Sequence, residues 1–174
     1  MDQTLPPKAS DTEETDGLPL PRRIWAVVAI SFALCMSVLD INIVNIVLPT
    51  LSHDFDVSPS VITWIMNGYQ LAIVISLLSF SSLGEIYGYR RVYLSGIALF
   101  CITSLICALS TSFWTLTLAR IFQGFSASAI TSVNTAQLRT IYPRNQIGRG
   151  MGINAMVVAI SAAAGPSIAS AILA

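Results

Sequence analysis

Charge is what this chain has least of. Only 10% of its 174 residues are Asp, Glu, Lys or Arg, against about a quarter in an ordinary soluble domain. The nine basic and nine acidic residues cancel, and the basic ones form no cluster with interleaved aromatics, which speaks against a nucleic-acid surface. A single histidine, His53, is all that could serve the serine of Gly124-Phe125-Ser126-Ala127-Ser128, and that segment lacks the last glycine of a nucleophile turn. No H-E-x-x-H and no G-x-x-x-x-G-K occurs. The three cysteines, Cys35, Cys101 and Cys107, lie in apolar stretches without metal-ligand spacing. The chain therefore reads as no enzyme, with no cofactor and no metal.

What it has instead is apolar length. Hydrophobic residues make up 54% of the chain and the mean hydropathy is +0.71. Five runs, at 24–51, 61–83, 92–109, 113–138 and 150–173, each approach or exceed the roughly 20 residues that cross a bilayer as a helix. They lack the sustained in-out alternation of barrel strands. The fold class expected is an all-α membrane protein with the lipid bilayer as its solvent. Residues 1–21 are polar, acidic and proline-containing, and are expected to be a disordered cytoplasmic tail. The first apolar run follows Arg22-Arg23 and is long enough to span, so it reads as a signal anchor and not as a cleaved leader.

The basic residues set an orientation. Lys8, Arg22 and Arg23 precede the first run, Arg90 and Arg91 follow the second, and Arg139, Arg144 and Arg149 follow the fourth. The alternate loops carry Asp54 and Asp56 and no Lys or Arg. The amino terminus is expected inside, in a multi-pass protein of a plasma or bacterial inner membrane. Trp25, Tyr93, Phe113 and Trp114, near run ends, read as interface anchors.

Two charges fall inside the runs. Asp40 lies roughly 24 Å along the first helix and Arg120 roughly 10 Å into the fourth, at 1.5 Å per residue. Both fall in the outer half, where an isolated charge faces a polar cavity or a partner. A titrating carboxylate there would couple protons to cargo directly; the plainer alternative is an interfacial Asp40 with a snorkelling or structurally paired Arg120. Asn42 and Asn45 fall on a different helix face from Asp40 and either line a cavity or bond another helix, and Gln123 joins them as a cavity or packing polar group.

Several segments carry a family resemblance. Ser81-Ser82-Leu83-Gly84-Glu85-Ile86-Tyr87-Gly88-Tyr89-Arg90-Arg91 resembles the loop signature G-x-L-x-D-R-x-G-R-R/K between helices 2 and 3 of the major facilitator superfamily. Leu83, Gly88 and Arg90 match, while Ser81, Glu85, Ile86 and Tyr89 depart from it. Leu39-Asp40-Ile41-Asn42-Ile43-Val44-Asn45-Ile46-Val47-Leu48-Pro49 is similar to the helix-1 motif L-D-x-T-I-V-N-V-A-L-P of that family's fourteen-helix drug:proton antiporter branch. Trp64 and Tyr69 resemble the start of its helix 2. Leu116 to Ala127 resembles L-x-x-x-R-x-x-Q-G-x-G-A, with Ser126 for a glycine. Gly152 with Ser161, Gly165 and Pro166 fits G-x8-G-x3-G-P-x2-G-G of helix 5, with Ser161, Ala169 and Ser170 in place of glycines. Generic small-residue packing is the alternative for that last segment.

The resemblance implies five transmembrane helices of an incomplete amino-terminal six-helix bundle. It implies a proton-coupled secondary transporter exporting drugs or other amphipathic compounds. Protons, a small-molecule substrate and the missing carboxy-terminal helices of the same transporter are then the partners, and the proton gradient is the energy source. Asp40 and Arg120 would serve proton coupling and charge balance, with Glu85, Gly88, Arg90 and Arg91 as the cytoplasmic loop motif. The helix-5 face from Ser161 to Ala169 is expected to meet the missing half. A carrier of another solute, or a non-transporting membrane helper pairing its small-residue faces with another subunit, are the alternatives. The orientation is checked by single-cysteine labelling in a cysteine-free background: a label at Ser58 should be reachable from outside and one at Gln146 only after permeabilisation, and the reverse pattern would invert the topology.

Overall fold

A computed structural model describes residues 17–173. Its elements are α1 (Leu20–Asp54), the short α2 (Pro59–Ile62), α3 (Trp64–Tyr87), α4 (Tyr89–Ala108), α5 (Phe113–Ile141) and, after a 3-10 turn at Arg144–Gln146, α6 (Ile147–Leu173). No strand occurs among the described residues. The five long helices fall on the five apolar runs, and each helix overshoots its run at one end or both. α1 starts with proline in its first turn, where a missing N–H removes no intrahelical bond. α5 starts on a reciprocal cap: Thr115 N–H donates to Ser112 Oγ at 3.4 Å, and Ser112 N–H donates to Thr115 Oγ1 at 3.3 Å.

Three expectations about segment limits change. The loop-signature segment from Ser81 to Arg91 is almost wholly helical, and Gly88 alone separates α3 from α4. Its φ of 93° and ψ of 131° make so tight a reversal possible, and its N–H closes α3 on the Gly84 carbonyl at 3.0 Å. The second run breaks at Thr63 and its helix persists to Tyr87. The expected tail splits: residues 1–16 lie outside the described residues, whereas Leu18 N–H donates to the Ile141 carbonyl at 3.1 Å and Leu20 and Pro21 already belong to α1.

α5 is the central helix, packed along α3 on one side and α4 on another, while α6 lies along α1. Two close approaches explain small residues. A Cβ on Gly124 would come within 2.5 Å of the Tyr69 carbonyl oxygen, so only glycine lets α5 lie this near α3. A Cβ on Gly165 would sit 2.6 Å from the Asn42 Cβ. Ser161 and Ala169 are buried on the same face of α6. That small-residue stripe therefore packs within the described bundle, against α1, and not outward toward a second half; the expectation is corrected because close backbone approach to α1 already uses it. Gly152 has nothing within 4 Å of where its Cβ would be and Pro166 is exposed, so neither takes part in that contact.

Four helical stretches are long and apolar enough to cross a membrane: Leu20–Asp54, Pro59–Tyr87, Tyr89–Ala108 and Arg144–Ala171. α5 is not among them. Its buried residues include Arg120, Gln123, Ser126, Ser128 and Asn134, and a helix enclosed by its neighbours does not have to be apolar. The lipid-type surface is carried by the others, with Leu71, Val74, Ile75 and Leu78 exposed on α3 and Ile102, Leu105 and Ile106 on α4. Trp25 and Trp114 are exposed, as interface anchors require, but Tyr93 and Phe113 are core residues. Tyr93 is turned inward by its hydroxyl, which donates to the Ile30 carbonyl at 3.4 Å.

The core divides into two apolar clusters. One gathers Ile30, Ala33, Val92, Phe100, Ile130 and Val133; the other gathers Val44, Ile62, Ile65, Phe113 and Leu116. Along α1 the two are separated by the stretch holding Asp40, and along α5 by the stretch holding Arg120 and Gln123.

Candidate functional site

The polar layer between the clusters is built from four helices. Arg120 and Gln123, three residues apart, share one face of α5 and reach the same carboxylate on α1. Arg120 Nη1 donates to Asp40 Oδ2 at 2.6 Å, and Gln123 Nε2 donates to Asp40 Oδ1 at 3.2 Å. The Arg120 side chain is 9% exposed and that of Asp40 16%, so the pair is largely withdrawn from solvent. Gln123 is wholly buried, and its Oε1 accepts from the Cys107 thiol of α4 at 3.5 Å. Tyr69 of α3 is buried in the electrostatic field of Asp40 and Arg120.

The layer is not fully satisfied. Arg120 engages the carboxylate through one terminal nitrogen and leaves Nε without a partner, and the Tyr69 hydroxyl also has none. A bidentate fork would have used both nitrogens, and an unmade bond at a buried donor costs about 1–3 kcal/mol. This is a pair held in place with donors to spare. Beside it, Asp40, Arg120, Ser104, Cys107 and Ser110 contribute to the wall of a recess of about 380 Å³ whose other lining residues, among them Val44, Val47, Leu51 and Leu116, are apolar.

The other expected residues separate. Asn42 turns away from the pair, donating to the Val38 carbonyl of its own helix at 2.8 Å and meeting α6 at Gly165. Asn45 is exposed and joins neither. Glu85, Arg90 and Arg91 are exposed, and among the described residues no ion pair links them. His53 is exposed beside Asp54, and the Ser126 hydroxyl donates to the Gln123 carbonyl at 2.6 Å, so the two form no catalytic pair. No group of metal-ligating side chains occurs among the described residues. Sequence reasoning missed two members of the layer: Tyr69, noticed only as part of a helix-2 resemblance, and Cys107, which had the look of an ordinary buried thiol.

An all-α bundle with apolar outward faces and an intramembrane ion pair defines a membrane transport protein more readily than any enzyme. The model of the Major Facilitator Superfamily matches residues 30–174, and the chain belongs to that family of transporters. It is 54% identical over 160 residues to Uncharacterized transporter YebQ of Escherichia coli (strain K12), an alignment covering 92% of this chain and 35% of that protein. It is 35% identical over 150 residues to Riboflavin transporter RibZ of Clostridioides difficile (strain 630), covering 86% and 33%. It is 31% identical over 147 residues to Multidrug resistance protein Stp of Mycobacterium tuberculosis (strain CDC 1551 / Oshkosh), covering 84% and 27%. The chain thus spans about a third of the length of such relatives.

The pair's geometry sets a stability prediction. Arg120→Met strands a buried carboxylate and should destabilise the fold by about 3–5 kcal/mol, whereas adding Asp40→Leu to it should recover most of that loss. Denaturant unfolding in detergent, followed by circular dichroism, measures both; equal stability of the single and double variants would mean that the pair is not desolvated.

Proposed function

We propose that this chain forms part of a proton-coupled exporter of amphipathic compounds, with Asp40 as the proton-titrating group and Arg120 as its charge balance. The single observation that supports this reading is the buried, one-point Arg120–Asp40 contact at 2.6 Å with spare donors around it. A carboxylate held by one nitrogen of a guanidinium can release it on protonation, and the freed guanidinium still borders the recess that it and Asp40 line. A cationic or strongly dipolar cargo approaching Asp40 favours the charged carboxylate and expels the proton, which is the exchange an antiporter needs. The apolar remainder of the recess suits an amphipathic cargo.

Orientation follows the arginines: an inside amino terminus puts Gly88, Arg90 and Arg91 on the cytoplasmic face and the Asp40 layer in the outer half of the membrane. Alternating access would come from this bundle rocking against further helices of a longer carrier. The similarity to proteins named for multidrug resistance and drug efflux supports an exporter. The somewhat higher identity to a protein named as a riboflavin transporter supports the second reading, a carrier of a metabolite with the same coupling layer.

The test is Asp40→Asn in the complete carrier. An amide keeps the size of the carboxylate and can still accept a bond from Arg120, but it cannot titrate. Efflux of a dye such as ethidium driven by a pH gradient should fall to background in vesicles, while cargo affinity changes by less than about tenfold, one hydrogen bond's worth. Full gradient-driven efflux by the variant would leave Asp40 a structural residue.

A further inference from the structure

Gln123 has two ends, and each is committed. Arg120 occupies Asp40 Oδ2, so the carboxylate's second oxygen, Oδ1, is the one that meets Gln123. A charged carboxylate accepts only, which requires the amide to present Nε2 to α1 and turns Oε1 toward α4. There, among the described residues, it accepts from the Cys107 thiol at 3.5 Å. The amide is wholly buried, so no water competes for either end. A protonated Asp40 reverses the demand, because a proton on Oδ1 is a donor and seeks Oε1. Turning the amide to meet it would point Nε2 at the thiol and leave the S–H without its acceptor.

We infer that Cys107 is a positioning residue for Asp40: by donating to Gln123 Oε1 it holds the amide in the orientation that serves the charged carboxylate. The inference rests on the coupling reading above in taking Asp40 as the group that protonates. The ionisable groups facing Asp40 are Arg120 on α5, Tyr69 on α3 and Cys107 on α4; the one ionisable residue of α6, Arg149, stands at that helix's opposite end, in its first turn. Arg120 is committed to Oδ2, and the Tyr69 hydroxyl makes no bond to the carboxylate. Gln123 is therefore the element that distinguishes the two states of Oδ1, and Cys107 biases it. By linkage, a thiol that responds to the proton on Asp40 acts back on that proton with equal free energy.

The chain purified in detergent, with Cys35→Ala and Cys101→Ala, leaves Cys107 as the source of the only S–H stretching band in the infrared. Gln123→Leu should move that band to the higher frequency of an unbonded thiol, and Gln123→Met should do the same if the leucine variant does not fold. Acidification should move it likewise in the protein with Asp40 and leave it still in Asp40→Asn. The carboxylic C=O stretch of Asp40 should appear at about three- to tenfold lower proton concentration in Cys107→Ala, the worth of one hydrogen bond, and Cys107→Ser should restore it. An S–H band that ignores Gln123, or that shifts with acid equally in Asp40→Asn, overturns the relay. Either result leaves gradient-driven efflux free to establish or reject Asp40 as the coupling group on its own.

Discussion

A carboxylate on α1 and a guanidinium on α5, 2.6 Å apart inside a bundle meant for lipid, are the constraint to which the rest of this chain is fitted. Neither charge is affordable alone in such a place. Their removal from water is offset by mutual attraction only if the helices hold them close and other groups take up the remaining bonds. Gln123 supplies one such bond to the carboxylate, and apolar clusters lie on either side of the layer. The close passage of α5 along α3 at Gly124, where a side chain would strike the Tyr69 carbonyl, brings the arginine-bearing helix deep enough to do this.

The placement of α5 also divides labour among the helices. The helix with most of the buried polar groups is the innermost, and its neighbours carry most of the apolar exterior. α6 is laid against α1 through Ser161, Gly165 and Ala169, which anchors the helix bearing Asp40 from the side opposite the ion pair. Asn42 belongs to that anchoring contact and Asp40 to the polar layer, so two residues of one motif serve different neighbours. The division lets a buried polar layer exist behind a largely apolar outer surface.

Much of this was legible in the sequence because membrane helices are written in long, nearly uninterrupted apolar runs, and an internal charge stands out against them. Asp40 in α1 and Arg120 in α5 stood out as intramembrane charges, each calling for a polar cavity or a partner; that they are each other's partner, with Gln123 on the second oxygen, emerges only from the fold. What was not legible depended on which helices lie side by side. The stripe from Ser161 to Ala169 announces close packing but not its partner, and the partner is α1. Tyr93 and Phe113 sit near helix ends, where aromatics commonly face the interface, yet both are buried, Tyr93 with its hydroxyl on the Ile30 carbonyl and Phe113 among Val44, Ile62 and Ile65. Cys107 lies sixteen residues from Gln123 across a helix reversal, and nothing in its local sequence distinguishes it from Cys35 or Cys101. The Gly88 reversal is the converse case: a glycine between two apolar runs is the residue that a tight turn calls for, and its φ is 93° with helix on either side of it.

The central claim is that Asp40 gives up and takes back the transported proton in exchange with cargo. The most direct measurement is proton release itself: cargo added to the complete carrier in weakly buffered detergent solution, with a pH-indicator dye recording the protons expelled. The account predicts release on cargo binding by the unaltered carrier and none by Asp40→Asn at a cargo concentration that saturates both. The same release from both proteins would contradict it, because the exchanged proton would then reside on another group.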